Sequence, residues 1–173
     1  VILVDNGSRR PAAVLALREV AAALSARLGG QEVLPASLGF SDSAGGMLLS
    51  STLSELVARP DVSGAVIAPL FLGPSAGLGR GVASCAADLP PAFGLRVGGC
   101  LIDEEAMPDD TRVARALASQ VLRVARQRKL HRLVPPVPLK VLVVDHGTPS
   151  RAVNAVRNRL ARDVGGLLSR HAV

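Results

Sequence analysis

Tryptophan and tyrosine are absent from this chain and phenylalanine occurs only three times. Almost nothing is therefore available for bases to stack on, which argues against a nucleic-acid platform built on aromatic side chains. Cysteine is nearly absent too: Cys85 and Cys100 stand in no CxxC arrangement, so no disulfide framework or redox pair is indicated, and buried thiols in a reduced compartment are expected. Long apolar runs are missing. The longest, Gly64 to Leu72, is the size of a strand and far short of the roughly 20 residues that cross a bilayer, so no membrane association is expected and the cytoplasm is the default location. Val1 already opens an apolar strand pattern, so no signal peptide is expected within the chain as given.

What is present is apolar and basic. With 49% apolar residues in 173, the chain can bury the core of one full domain plus a fragment. The formal charge of +6 and the pI near 10.9 favour an anionic partner, and the shortage of aromatics makes a small polyanionic ligand a better fit than nucleic acid. Arginine supplies most of the charge, a bias that base composition of the genome also produces.

The chain states one motif twice. Val1-Ile2-Leu3-Val4-Asp5-Asn6-Gly7-Ser8 returns as Val141-Leu142-Val143-Val144-Asp145-His146-Gly147-Thr148, and the agreement runs on without a gap through Ala12 and Ala152, Val20 and Leu160, Ala21 and Ala161, and Leu24 and Val164. The shared unit is a strand, a tight polar turn and a helix, and its one chemical difference, Asn6 against His146, falls at the turn.

Around these copies, strand-like apolar segments alternate with stretches of helical period, the pattern of an α/β fold with a parallel sheet covered by helices on both faces. Strands are expected at Val1 to Val4, Glu32 to Ser37, Gly64 to Leu72 and Leu95 to Leu101. The first helix carries the stripe Val14, Leu17, Val20, Leu24 and Leu28 and stops at Gly29-Gly30. Met47 to Ala58 and Gly81 to Leu89 form weaker helical patterns. A fourth helix opens on Pro108-Asp109-Asp110, carries Val113, Leu117, Val121 and Val124, and ends on the cations Arg126 to Lys129. These elements make a domain over residues 1–130.

Val134-Pro135-Pro136-Val137-Pro138 cannot continue a helix or an interior strand, so 131–138 is read as a stiff linker. A partial second repeat follows over 139–173, with a strand at Leu139 to Val144 and a helix carrying Val153, Val156, Leu160, Val164 and Leu167. One strand and one helix cannot bury their own apolar faces. The unit must add to the sheet of the first domain, to that of another subunit in a homodimer, or to further chain.

Chemistry is sought at the turns, where strand ends open into helix N-termini and doubly wound sheets bind ligands. In the second copy Gly147 permits the turn, Thr148 or Ser150 can cap the helix, and the imidazole of His146 is the best catalytic candidate, set against a reading in which His146 and Asp145 only hydrogen-bond within the turn. His131 and His171 read as solvated surface. Gly77-Leu78-Gly79-Arg80-Gly81 lacks the GxGxxG spacing of a dinucleotide loop and follows the third strand, so nucleotide binding is not indicated. Asp103, Glu104 and Glu105 precede a helix, where acids complement the dipole. Ser8, Ser37 and Ser75 have no histidine near them in sequence that would make a nucleophile.

The repeated Leu-Val-Asp-(Asn/His)-Gly-(Ser/Thr) motif, the Arg/Pro start of the helix after it, and Ala68-Pro69-Leu70-Phe71-Leu72-Gly73-Pro74 together resemble the sirohydrochlorin chelatases, the small cobalt- and iron-inserting enzymes of the CbiX/SirB type in cobalamin and siroheme biosynthesis. The resemblance covers nearly the whole chain. It implies two similar α/β halves or subunits facing a cleft that holds a tetrapyrrole, with a divalent metal, cobalt first and then iron or nickel, as substrate and no organic cofactor. It further implies that a histidine after the first strand and another after the Pro-Leu-Phe-Leu strand bind the metal and take up the displaced pyrrole protons, as neutral imidazole can near pH 7. Only His146 matches that pattern. The first copy has Asn6 instead, which coordinates weakly and cannot act as a base, and Ser75 to Gly81 contains no histidine. On this resemblance His146 is the metal ligand and base, and Asn6, Ser8, Arg9, Arg10, Thr148 and Arg151 lie near the acidic side chains of the substrate. The alternative is a catalytically inactive, chelatase-like protein that binds a tetrapyrrole or a metal.

Overall fold

The computed structural model describes residues 1–40, 45–103, 106–128, 140–144 and 150–170. The described elements run β1 (Ile2–Asp5), α1 (Pro11–Arg27), β2 (Leu34–Ser37), α2 (Leu49–Val57), β3 (Gly64–Pro69), α3 (Ala76–Ala87), β4 (Gly94–Val97), α4 (Arg112–Gln127) and α5 (Arg151–Ser169). The strands form one all-parallel sheet in the order β2-β1-β3-β4, so the α/β, parallel-sheet reading holds. Two compact units are present, Val1–Leu101 and Ile102–Val173.

In the first unit β1 is apolar and buried from Ile2 to Val4, because it is central and covered on both sides, and turns polar only at Asp5, its last residue. Ile2 and Val4 join Ala36, Leu49, Leu53, Leu56, Ile67, Leu78 and Val82 in one core beneath α2 and α3. Leu3 points the other way and packs with Leu17 and Ala21 of α1 and with Val33. Leu53 is only 1% exposed, so Leu53→Ala leaves a cavity that the surrounding sheet cannot fill. We expect a loss of about 2–5 kcal/mol, read from urea denaturation followed by far-UV circular dichroism.

Several expected boundaries move, for local reasons. The buried face of α1 is Val14, Leu17 and Ala21, not the stripe through Val20 and Leu28. Val20 lies six residues beyond Val14, far round the helix at 3.6 residues per turn, and both Val20 and Leu28 are exposed. Helix α3 begins five residues before the expected Gly81, because the Ser75 side chain accepts a hydrogen bond from Leu78 N at 3.1 Å and caps it. The glycines at 77, 79 and 81 therefore lie within a helix rather than in a loop. At Gly81 a Cβ would stand 3.0 Å from Leu38 Cδ2, so the small residue lets α3 approach the chain after β2.

Among the described residues the second unit is a helical pair. Val156, Leu160 and Val164 of α5, as its spacing predicts, pack with Ile102 and with Ala114 of α4. Helix α4 buries Ala114 and Ala118, whereas Leu117 and Val124 of its expected stripe are exposed; alanines let the two helices come close. The compact units divide after Leu101, whereas sequence places the boundary near 130, because α4 packs with α5. The second copy of the strand is not formed: Lys140 to Val144 has no strand pairing, and Leu142 and Val144 are 84% and 81% exposed. A strand exists only through its neighbours, and these residues have none among the described residues. Leu139, which opened that expected strand, and the linker 131–138 lie outside the described residues.

The start of α4 is tied by charge. Arg112 donates through Nε to both carboxylate oxygens of Asp110 at 3.0 Å and through its terminal nitrogen at 2.7 Å, while Arg112 N donates to Asp110 Oδ1 at 2.9 Å. The Arg112 guanidinium, helped by that backbone N–H, holds the Asp110 carboxyl down at about 2, against an ordinary 3.8. A depressed carboxyl stabilises the fold above its ordinary value and loses that contribution as pH falls through the native one. An NMR titration of the Asp110 carboxyl is expected to show a midpoint near 2, rising toward the ordinary value in Arg112→Ala.

Candidate functional site

The sheet order sets where a ligand would sit. From β1 the chain crosses to β2 on one side, and β3 then pairs on the other side of β1, so connections leave in opposite directions at the carboxyl ends of β1 and β3. That reversal opens a crevice above the sheet edge. The β1–α1 turn, Asn6 to Arg10, and the β3–α3 turn, Leu70 to Ser75, both leave from it, and the strand ends are tied together by Leu70 N donating to Val4 O at 2.7 Å and Leu38 N donating to Asp5 O at 3.0 Å.

In the first turn Asp5 is a brace. Its Oδ1 accepts from Gly7 N at 2.9 Å and from the Ser37 hydroxyl at 2.6 Å, joining the ends of β1 and β2. Gly7 adopts φ +89°, and a Cβ there would lie 1.6 Å from Gly39 O, so the turn admits only glycine. Ser8 Oγ accepts from Arg10 N at 3.1 Å, and Pro11 then occupies the first turn of α1, where its fixed φ suits the helix start. Asn6, Arg9 and Arg10 are exposed and Ser8 half-buried. Four of the site candidates read from sequence thus share one turn at the open edge of the sheet.

One residue escaped the sequence reading. Phe40 is 58% exposed with φ +57°, an uncommon backbone state for a bulky side chain, and the Arg9 guanidinium carbon lies 5.2 Å from the centre of its ring. The only advance signal was an apolar ring just after the Gly39 that follows β2. The pair offers a flat apolar surface next to a cation, within cation–π distance.

The second copy is described only in part. His146 and Thr148 lie outside the described residues, as do His131 and His171. Arg151 is exposed at the first position of α5, and Ser150 caps that helix by accepting from Val153 N at 3.4 Å. Sequence had offered Thr148 or Ser150 for this task. Among the described residues no group of three His, Cys, Asp or Glu side chains could hold a metal ion. Burial pushes the Cys85 thiol up, which suppresses thiolate chemistry, and no disulfide joins it to Cys100. Beside the site, a cavity of about 20 Å³ lined by Val14, Leu17, Arg18, Ser37 and Met47 has room for roughly one water and none for a macrocycle. Among the described residues no helix is long and apolar enough to cross a membrane.

Comparison of the chain with models of known families, with characterised proteins and with solved structures finds no match.

Proposed function

We propose that this chain is a sirohydrochlorin-type chelatase, or one half of such an enzyme, that inserts a divalent metal, cobalt first among the candidates, into a tetrapyrrole. The observation that carries this reading is the duplicated strand–turn–helix, whose first copy lies at the crevice of a parallel sheet and whose second copy replaces Asn6 with His146.

Metal insertion exchanges two pyrrole N–H protons for one M²⁺, so the site must deliver the ion and remove two protons. A neutral imidazole has one free lone pair. His146 can bind the metal and, once the ion has passed to the macrocycle, accept one of the two protons at the same nitrogen, the other passing to solvent water. Arg9 and Arg10, with Arg151 in the second copy, would face the acidic side chains of the substrate, for which the planar guanidinium is suited. Phe40 beside Arg9 adds an apolar surface for a flat ring. In the first copy Asp5 Oδ1 already accepts two hydrogen bonds and Asn6 cannot take a proton, so that copy serves the substrate and the second copy the chemistry.

The absence of histidine at position 6 and through Ser75 to Gly81 favours one other reading, a chelatase-like protein that holds a tetrapyrrole or a metal without turnover. Absorbance spectroscopy of the purified protein with sirohydrochlorin and Co²⁺, beside a protein-free control, separates the two. Conversion of the free macrocycle spectrum to the metallated one above the control is the expected result. A shifted spectrum without insertion means binding alone, and an unchanged macrocycle spectrum rejects both insertion and tetrapyrrole binding.

A further inference from the structure

We propose that the groove where the start of α4 meets the end of α5 binds a compact polyanion, a small molecule carrying two or more phosphate or carboxylate groups. The groove has a volume of about 390 Å³ and is lined by Thr111, Arg115, Arg162 and Arg170 together with Asp109 and Asp163. Sites for small molecules commonly fall between about 300 and 1,000 Å³. Arg115, Arg162 and Arg170 make no ion pair among the described residues, whereas Asp163 is engaged by Arg159 Nε at 3.5 Å. Arg159 is itself held in place, because it also donates to the backbone carbonyls of Pro108 and Asp110. Three guanidiniums therefore face the groove with one unengaged carboxylate, Asp109, against them.

The distribution of charge points the same way. Residues 1–101 carry seven arginines and seven acids, whereas 102–173 carry thirteen basic residues and seven acids, so the whole excess of +6 lies in the second unit. A compositional bias of the genome acts on the whole chain alike and does not leave one unit neutral. All three phenylalanines lie in the first unit, which leaves the second with no ring for base stacking. A fork of arginine donors in a groove of limited size, without aromatics, suits phosphate or carboxylate groups on a small frame.

Isothermal titration of the full chain with sodium triphosphate, and separately with citrate, tests this without metal or macrocycle, so its failure leaves the chelatase reading standing. Binding is expected at low salt and should weaken toward 0.15 M salt as screening increases. Arg162→Glu should weaken it by about tenfold or more, and Arg27→Glu, in the neutral unit, should leave it unchanged. Both positions are exposed, and far-UV circular dichroism checks that each variant is folded. Tighter triphosphate than citrate assigns phosphate chemistry, and the reverse assigns carboxylate. Binding of neither anion, equal losses in both variants, or displacement of triphosphate by duplex DNA with affinity that grows with duplex length would overturn the proposal.

Discussion

Gly7→Ala is expected to destabilise the first unit by about 3–5 kcal/mol, a large share of the roughly 5–15 kcal/mol that holds a typical domain together. Two costs add. The backbone at Gly7 has φ +89°, where an L side chain is strained by about 1–2 kcal/mol. A methyl group there would also lie 1.6 Å from Gly39 O and 2.6 Å from Gly39 C, and backbone atoms cannot swing aside as the end of a long side chain can. The chain carrying Gly39 is anchored just upstream by Leu38 N donating to Asp5 O and by the Ser37 hydroxyl donating to Asp5 Oδ1. Retreat would break the bonds that join β1 to β2. Gly29→Ala is the control: φ is +69° and nothing lies within 4 Å of its added Cβ, so only the strain applies and about 1 kcal/mol is expected. Because the chain has neither tryptophan nor tyrosine, urea denaturation should be followed by far-UV circular dichroism. Equal losses for the two variants would mean that the close approach to Gly39 contributes nothing.

His146→Ala is expected to remove metal insertion into sirohydrochlorin almost completely, by a factor on the order of 10²–10⁴, the range a positioned general base contributes, while Asn6→Ala changes the rate little. The contrast follows from the chemistry of the two copies: imidazole offers a lone pair that binds a metal or a proton, whereas the carboxamide is a weak ligand and no base. Initial rates of macrocycle metallation with Co²⁺ measure both variants. Equal losses would show that the two copies contribute alike and would end the assignment of chemistry to the second copy. An unchanged rate in His146→Ala would remove histidine from the mechanism.

How far the fold was legible follows from how local each signal is. The four strands of the sheet were found because each is a short apolar run bounded by polar or glycine-rich turns, and α5 was found with its buried face because Val156, Leu160 and Val164 keep helical spacing. Helix α3 was placed late because three glycines lower its intrinsic propensity, while the Ser75 cap and the burial of Leu78 and Val82 override that cost. The partner of α4 was not legible either. An apolar stripe says that a helix must be covered, not by what, and here the covered residues are Ala114 and Ala118 rather than the larger Leu117 and Val124.

At the candidate site, sequence located the turn, its glycine and the exposed Asn6, Arg9 and Arg10, but not Phe40, whose value depends on a guanidinium arriving from another loop. Sequence by itself determined the alternation of strands and helices, the repeat, the Asn6 and His146 difference, and the excess of positive charge, since all of these are properties of residue order and type. Tertiary structure alone decided the strand order β2-β1-β3-β4, the use of Asp5 as a brace between β1 and β2, and the pairing of α4 with α5. It also decided that Val141 to Val144, which repeats the apolar segment Val1 to Val4, is not a strand. The physical reason is common to them all: a strand, a brace and a helix pair are relations between segments far apart in the chain, and burial and hydrogen bonding are satisfied only when the partner is in place.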